Sequence, residues 1–231
     1  MFKIWQGENI KVEVLYSKAG IATQILLTDT TNEYKVLMDC GDGTARDLIE
    51  RSINLNEVKG ILLTHGHPDH VGGLFSFLST LNLIQYKGEL TIFAPSSCKE
   101  AYSIIKLFLN LYGKKIGYTL NYNELYSGVF EGIGNFIIKP FDVLHYESDK
   151  PPLKKKASFG YRVSLFDEVI VYSGDTVPCL TLEKEVEGVD FALLEATYEE
   201  KNNDKTANHL DKEYAEYIGK SAKNYLLIHK R

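Results

Sequence analysis

The sequence predicts an α/β fold in which two mixed sheets lie between helices. Apolar strand-like runs open the chain, and strands then alternate with helical segments twice over. No internal repeat or low-complexity tract interrupts this order. A length of 231 residues is enough for a substantial core, and we expect residues 1–231 to form a single domain.

The individual elements follow from apolar runs bounded by turn residues. In the first half we predict strands at 12–16, 23–28, 34–39, 60–64 and 90–94. Helices are predicted at 45–53, 71–81 and 96–112, with Thr44 and either Ser96 or Ser97 as N-caps. In the second half we predict strands at 135–144, 159–166, 169–173, 190–195 and 225–228, and a helix at 210–222.

Composition narrows the class of protein. Hydrophobic residues make up 44% and charged residues 25%, and the net charge of -5 argues against coating nucleic acid through bulk charge. The three cysteines, Cys40, Cys98 and Cys179, are scattered, so we expect no disulfide framework and a reducing, cytoplasmic location. We find no signal-peptide pattern and no apolar run of about 18 residues, so no membrane partner is expected.

The most informative segment is His-Gly-His-Pro-Asp-His at 65–70. Residues two apart in an extended segment point the same way, so His65 and His67 can bind one metal ion. Asp69 and His70 lie one step further on and can turn toward a second ion. The glycine and proline between them disfavour a helix or a central strand and favour a tight loop.

Further residues of metal-binding type follow predicted strands. His145 and His229 each come directly after an apolar run, and Asp175 follows the strand at 169–173. A lone histidine in such a place is more often structural than a ligand. His209 begins the last predicted helix, and four such residues beside a loop that needs partners favour the metal-binding interpretation.

These motifs resemble those of a known superfamily. The segment at 65–70 matches the H-x-H-x-D-H motif of the metallo-β-lactamase superfamily. Within it the chain is most similar to RNase Z, the tRNA 3′-processing endonucleases, over roughly residues 36–231. The RNase Z-like segments are Leu-Met-Asp-Cys-Gly-Asp-Gly-Thr at 37–44, Gly-Tyr-Arg-Val at 160–163, Gly-Asp-Thr at 174–176 and Leu-Leu-Glu-Ala-Thr at 193–197.

The resemblance implies the metallo-β-lactamase αββα four-layer fold and two Zn²⁺ ions per chain, although Mn²⁺ and Fe²⁺ also suit such ligands. One ion would be bound by His65, His67 and His145, the other by Asp69, His70 and His229, with Asp175 as the bridge. Asp39 and Thr64 are candidates for orienting the ligand imidazoles; a strand-end hydrogen bond is the equal alternative for each.

The resemblance also implies catalytic roles for Asp69, Glu195 and His209. The equivalent of Glu195 orients the equivalent of His209, which protonates the leaving 3′-oxygen. The alternative interpretation is a solvated strand end and a helix N-terminus.

The basic run at 150–156 includes the candidate substrate-binding residues Lys154, Lys155 and Lys156. It either steers phosphates toward the metal ions or is a solvated face. No Gly/Pro-rich insertion long enough for a protruding tRNA-binding arm is visible, and Ser-Lys-Ala-Gly at 17–20 replaces the G-T-G-G of RNase Z. The sequence therefore predicts weak binding of full-length tRNA.

Four functions are compared. The leading one is a metal-dependent phosphodiesterase of the RNase Z type that acts on a phosphodiester substrate such as RNA. A homodimer is compatible with this function. Its first rival is a phosphodiesterase of the same branch that acts on cyclic nucleotides or other small diesters. A thioester or lactam hydrolase similar to glyoxalase II is disfavoured by the Gly-Asp-Thr segment and the pair Glu195 and His209. An inactive binding partner is disfavoured because all predicted ligand positions are filled.

Overall fold

The computed structural model describes residues 3–148, 153–200 and 208–231. The chain forms two compact units. The first comprises Met1–Gln6 and Ile10–Glu124, and the second comprises Gly7–Asn9 and Leu125–Arg231. Among the described residues, no helix combines the length and apolar character needed to cross a membrane.

The first unit is built on a seven-stranded mixed sheet with strand order β1-β2-β3-β4-β5-β6-β7. Its strands are β1 Lys3–Gln6, β2 Ile10–Lys18, β3 Ala22–Asp29, β4 Lys35–Met38, β5 Val58–Leu62, β6 Glu89–Pro95 and β7 Thr119–Leu125. Its helices are α1 Thr44–Glu50, α2 Pro68–Val71, α3 Leu74–Leu83 and α4 Lys99–Tyr112, with a 3-10 turn at Leu55–Glu57.

The first unit places its chemistry at the ends of β4 and β5. These two strands are parallel, so their carboxyl ends lie at the same edge of the sheet. Asp39 follows β4, and its N–H donates to the carbonyl of Leu62 at 2.8 Å. Leu48, Phe77 and Phe108 of the helices are fully buried in the apolar core. The edge that carries the polar residues is therefore held by a packed core.

The second unit contains a six-stranded mixed sheet with strand order β15-β14-β13-β12-β9-β8. Its strands are β8 Glu131–Ile133, β9 Phe136–Asp142, β12 Phe159–Leu165, β13 Glu168–Tyr172, β14 Phe191–Glu195 and β15 Tyr225–Ile228. A separate pair is formed by β10 His145–Tyr146 and β11 Lys155–Lys156, and the helices are α5 Leu180–Val186 and α6 Lys212–Gly219. Strands β13, β14 and β15 are parallel, so their carboxyl ends also lie at one edge.

Several predicted boundaries are wrong for identifiable reasons. Thr44 does not cap α1: Gly43, at φ +80°, is the N-cap, and the Thr44 hydroxyl donates to the carbonyl of Gly41. Neither predicted serine caps α4, which begins after Cys98. The predicted helix at 71–81 is interrupted between α2 and α3, because its first turn belongs to the histidine-rich loop.

Candidate metal centre

The segment at 65–70 is partly helical, contrary to the predicted loop. Pro68 occupies the first turn of α2, where its missing N–H leaves no bond unmade. The backbone of the segment is tied to the residues after β4, because the Cys40 N–H donates to the His70 carbonyl at 2.8 Å. A Cβ at Gly66 would lie 2.2 Å from the Glu100 carboxylate, so a side chain there would require Glu100 to move.

The first two histidines of this segment converge as predicted. Nε2 of His65 lies 3.0 Å from Nδ1 of His67, and the rings meet edge to face with centroids 4.7 Å apart. Two nitrogens on a tetrahedral zinc ion, each about 2.05 Å from it, are about 3.3 Å apart. The pair therefore has the spacing of two ligands on one ion.

Asp39 orients the imidazoles of the first unit. This buried carboxylate lies 2.7 Å from Nδ1 of His70 and accepts bonds from the N–H and hydroxyl of Thr64 at 2.8 and 3.0 Å. A carboxylate only accepts, so Nδ1 of His70 carries the proton and Nε2 becomes the ligand atom. The Thr64 hydroxyl gives its proton to Asp39 and so accepts from Nδ1 of His65, 3.0 Å away.

Asp69 lies beside His70, as the motif predicts. Its Oδ2 is 3.7 Å from Nε2 of His70. The same oxygen accepts the backbone N–H of Gly20 at 2.8 Å, a contact between residues far apart in the sequence.

In the second unit, His145 and His229 are also anchored through Nδ1. Nδ1 of His145 lies 3.1 Å from the carbonyl of Asn208, which only accepts. Nδ1 of His229 lies 3.0 Å from the Thr197 hydroxyl, whose own proton goes to the Glu195 carboxylate at 2.8 Å. Nε2 is therefore the ligand atom of both imidazoles.

Asp175 is close to two imidazoles of the same unit. Its Oδ2 lies 3.5 Å from Nε2 of His229 and 3.8 Å from Nδ1 of His209. A carboxylate beside the unprotonated nitrogen of His229 is the arrangement of two ligands around a cation.

Glu195 and His209 form the predicted pair. Oε1 of Glu195 lies 3.1 Å from Nδ1 of His209 and accepts the backbone N–H of Thr176 at 2.8 Å. Glu195 is fully buried, and the His209 side chain is 14% exposed. A buried carboxylate thus fixes a partly accessible imidazole, so the alternative of a solvated strand end is wrong for Glu195.

The candidate lysines differ in their surroundings. Residues 150–152 of the basic run lie outside the described residues. Lys154 forms an exposed ion pair with Glu147 at 2.8 Å. Lys156 lies directly opposite His145 in the antiparallel β10–β11 pair, so their side chains share a face. Lys155 lies opposite Tyr146 and takes the other face.

The donor set of each unit fits a metal ion of intermediate hardness. Imidazole nitrogens and carboxylate oxygens suit Zn²⁺, Mn²⁺ and Fe²⁺. Burial raises the pKa of the Cys40 thiol to about 12, so this cysteine is protonated at neutral pH. Five imidazoles have Nδ1 beside an oxygen partner, and they are His65, His70, His145, His209 and His229.

Sequence reasoning missed three residues that position the predicted ones. Thr197 lies in a segment that matched RNase Z, so the resemblance already carried a signal for it. Asn208 acts through its backbone carbonyl on His145, and Gly20 acts through its backbone N–H on Asp69. Backbone groups have no residue-type signature, so neither was recognisable from the sequence.

Comparison with known families gives a match over most of the chain. The family described as Anti-Pycsar protein Apyc1 matches residues 15–201. Ribonuclease Z of Metallosphaera sedula is 27% identical over a match that covers 84% of this chain and 78% of that protein. Ribonuclease Z of Bacillus licheniformis is 26% identical over 70% of this chain and 65% of that protein. These matches confirm the predicted resemblance to RNase Z.

Solved structures confirm the predicted fold class. The metallo-β-lactamase fold protein YhfI from Bacillus subtilis superposes with a TM-score of 0.77 at 18% identity, covering 96% of this chain and 86% of YhfI. The short form of human tRNase Z gives a TM-score of 0.77 at 21% identity, covering 95% of this chain and 92% of tRNase Z. Both likenesses establish the fold.

Proposed function

This chain belongs to the Anti-Pycsar protein Apyc1 family, and from that premise we propose that it is a metal-dependent phosphodiesterase of the RNase Z type. The observation that carries the proposal is the common anchoring of the imidazoles through Nδ1, which aims Nε2 as the ligand atom. Hydrogen bonds to the nitrogen that does not bind the metal fix the tautomer and orientation of metal-bound histidines.

The proposed ligands come from both units. We assign one ion to His65, His67 and His145, and the other to Asp69, His70 and His229, with Asp175 bridging. The order of these residues along the chain and the donor chemistry of each cluster support this assignment. Two ions held there would lower the pKa of a coordinated water molecule and would neutralise charge on the phosphoryl oxygens. Zinc is the metal we propose, with Mn²⁺ and Fe²⁺ as the alternatives to test.

We propose that His209 is the general acid. Glu195 holds Nδ1–H, so Nε2 of the imidazolium can give its proton to the leaving oxygen. The buried carboxylate also stabilises the protonated ring before transfer. Asp69 would contribute to catalysis by holding its metal ion in position.

The proposed substrate is a phosphodiester, and one observation favours a small one. Leu165 pairs with Glu168, so only two residues connect β12 and β13. Within the described ranges, no arm projects that would grip the body of a tRNA. Cyclic nucleotides are therefore the second candidate class, beside RNA ends. A cytoplasmic location and a homodimer remain predictions from the sequence.

The test is hydrolysis by the zinc-reconstituted protein of bis(p-nitrophenyl) phosphate, cyclic nucleotides and a 3′-extended tRNA. We expect turnover of the first, and the other two decide between the substrate classes. Asp175→Ala should lower metal content and turnover together. No hydrolysis of any diester by protein that has bound zinc would contradict the proposal.

A further inference from the structure

The turn between β2 and β3 touches a proposed metal ligand. This hairpin tip, residues 18–21, is closed by a bond from the Ile21 N–H to the Lys18 carbonyl at 3.1 Å. Gly20 is exposed and has φ +69°, a left-handed conformation that turns its N–H away from the hairpin. That N–H donates to Oδ2 of Asp69 at 2.8 Å.

The backbone of Asp69 is fixed independently of this bond. A Cβ on Gly41 would lie 2.4 Å from the Asp69 carbonyl oxygen, so the two main chains are in close contact. The Cys40 N–H binds the carbonyl of His70, and the Gly41 N–H binds that of Thr23 at 3.1 Å. With the backbone fixed, the remaining freedom of Asp69 lies in the rotation of its carboxylate.

We propose that the Gly20 N–H orients the Asp69 carboxylate for metal binding, which makes the hairpin tip a positioning element of the metal centre. The inference rests on the proposed function, because it takes Asp69 as a ligand. Oδ2 is also the Asp69 oxygen that lies 3.7 Å from Nε2 of His70. The Gly20 N–H therefore binds the carboxylate oxygen that faces the neighbouring proposed ligand, His70. When a hydrogen-bond donor to a metal-binding carboxylate is removed, the metal affinity of the site typically falls about 10- to 100-fold.

The N–H can be removed without touching any proposed ligand. Replacing Ala19-Gly20-Ile21 with Asn-Gly makes a two-residue turn that retains the pairing of Lys18 with Ala22 and shortens the tip by one residue, which removes the position from which Gly20 donates. Gly20→Asn is the matched control, because asparagine tolerates a left-handed conformation and keeps the N–H. No atom lies within 4 Å of a Cβ at Gly20, so the control has room for its side chain.

The experiment measures zinc and cobalt binding to the full-length chain, with the visible absorption of bound Co²⁺ as a report on ligand geometry. We expect the variant with the shortened hairpin to bind the less tightly held of its two ions about 10- to 100-fold more weakly than the wild type does. Its Co²⁺ spectrum should also differ from that of the wild type. Gly20→Asn should match the wild type. Circular dichroism and thermal unfolding establish that both variants are folded.

Two results would overturn the inference. One is a folded short-hairpin variant with wild-type affinity and spectrum. The other is an equal loss in Gly20→Asn, which would mean that the shape of the tip, and not the N–H, matters. Failure of the proposed function is distinguishable, because the wild-type chain would then bind no metal or hydrolyse no diester.

Discussion

The two units present their candidate ligands in contrasting ways. The first unit takes four of them from the single segment at 65–70, directly after β5. The second takes His145, Asp175 and His229 from the ends of separate strands. A cluster within one segment depends on local backbone geometry, whereas a dispersed one depends on the register of a whole sheet. Damage to strand pairing should therefore disturb the second cluster first.

The groups that orient the imidazoles also differ. In the first unit a buried carboxylate, Asp39, fixes His70 directly and His65 through Thr64. In the second unit the direct partners are neutral: a carbonyl orients His145, and the Thr197 hydroxyl, itself bonded to Glu195 as Thr64 is to Asp39, orients His229. A charged acceptor strengthens the hydrogen bond and raises the basicity of the imidazole more than a neutral one.

Loss of a ligand should have the largest effect, and the same effect in both units. We expect His70→Ala and His229→Ala each to lower kcat/KM roughly 10³-fold or more, because bound metal ions provide several kcal/mol of transition-state stabilisation. Steady-state kinetics with bis(p-nitrophenyl) phosphate and metal analysis measure this. If either variant keeps wild-type metal content and turnover, the proposal that both units supply metal ligands is contradicted.

His209 should differ from both ligands. We expect His209→Ala to keep its metal ions but to lose about 10²- to 10⁴-fold in turnover, as a general acid does. The defect should shrink on diesters whose leaving group is p-nitrophenolate, because that group needs little protonation. Comparison of rates for good and poor leaving groups measures it. Equal losses on both would assign His209 a structural role.

The orienting groups sharpen the comparison between the units. Asp39→Asn keeps the shape but removes the charged acceptor, so we expect zinc affinity to fall about 10- to 100-fold. Thr197→Val removes a neutral partner of His229 and should cost less than Asp39→Asn. Competition with a chromophoric chelator gives both affinities, and thermal unfolding serves as the control for folding. A larger loss in Thr197→Val would reverse the ranking.

The smallest effect concerns the lysines of the second unit. Lys156 shares a face with His145, whereas Lys154 is exposed and paired with Glu147. We expect Lys156→Ala to weaken RNA binding and to reduce the slope of log affinity against log salt by about 1, as loss of one phosphate contact does. Lys154→Ala, which removes the same charge from the same hairpin, should change little. Equal effects of the two variants would indicate that the overall positive charge of this region, and not the position of Lys156, determines RNA binding.

The contrast between a local and a dispersed cluster also explains which parts of the structure could be predicted from the sequence. The segment at 65–70 was recognisable from its residue types, and the strands before Asp39, Asp175 and His229 from their apolar runs. The helical turn at Pro68 was not, because proline disfavours a helix interior but fits the first turn of a helix, where Pro68 lies. Helix α5 and the short strands β10 and β11 were also missed, since they are too short to show a period.

Positions that depend on distant backbone groups escaped prediction for a different reason. The partner of Asp69 is a turn of another hairpin, and the partner of His145 is a carbonyl from a distant segment. Only folding brings these groups together. The resemblance to RNase Z named the residues of the centre, but their orientation is set by contacts that no motif encodes.

The most direct test of the account is the zinc content of the wild-type chain. The protein is stripped with a chelator, saturated with Zn²⁺, passed over a desalting column and measured by elemental analysis against protein concentration. If ligands of both units hold the metals as proposed, the chain retains two zinc ions, and diester hydrolysis returns with them. Retention of no more than one ion at saturation would contradict the dinuclear centre.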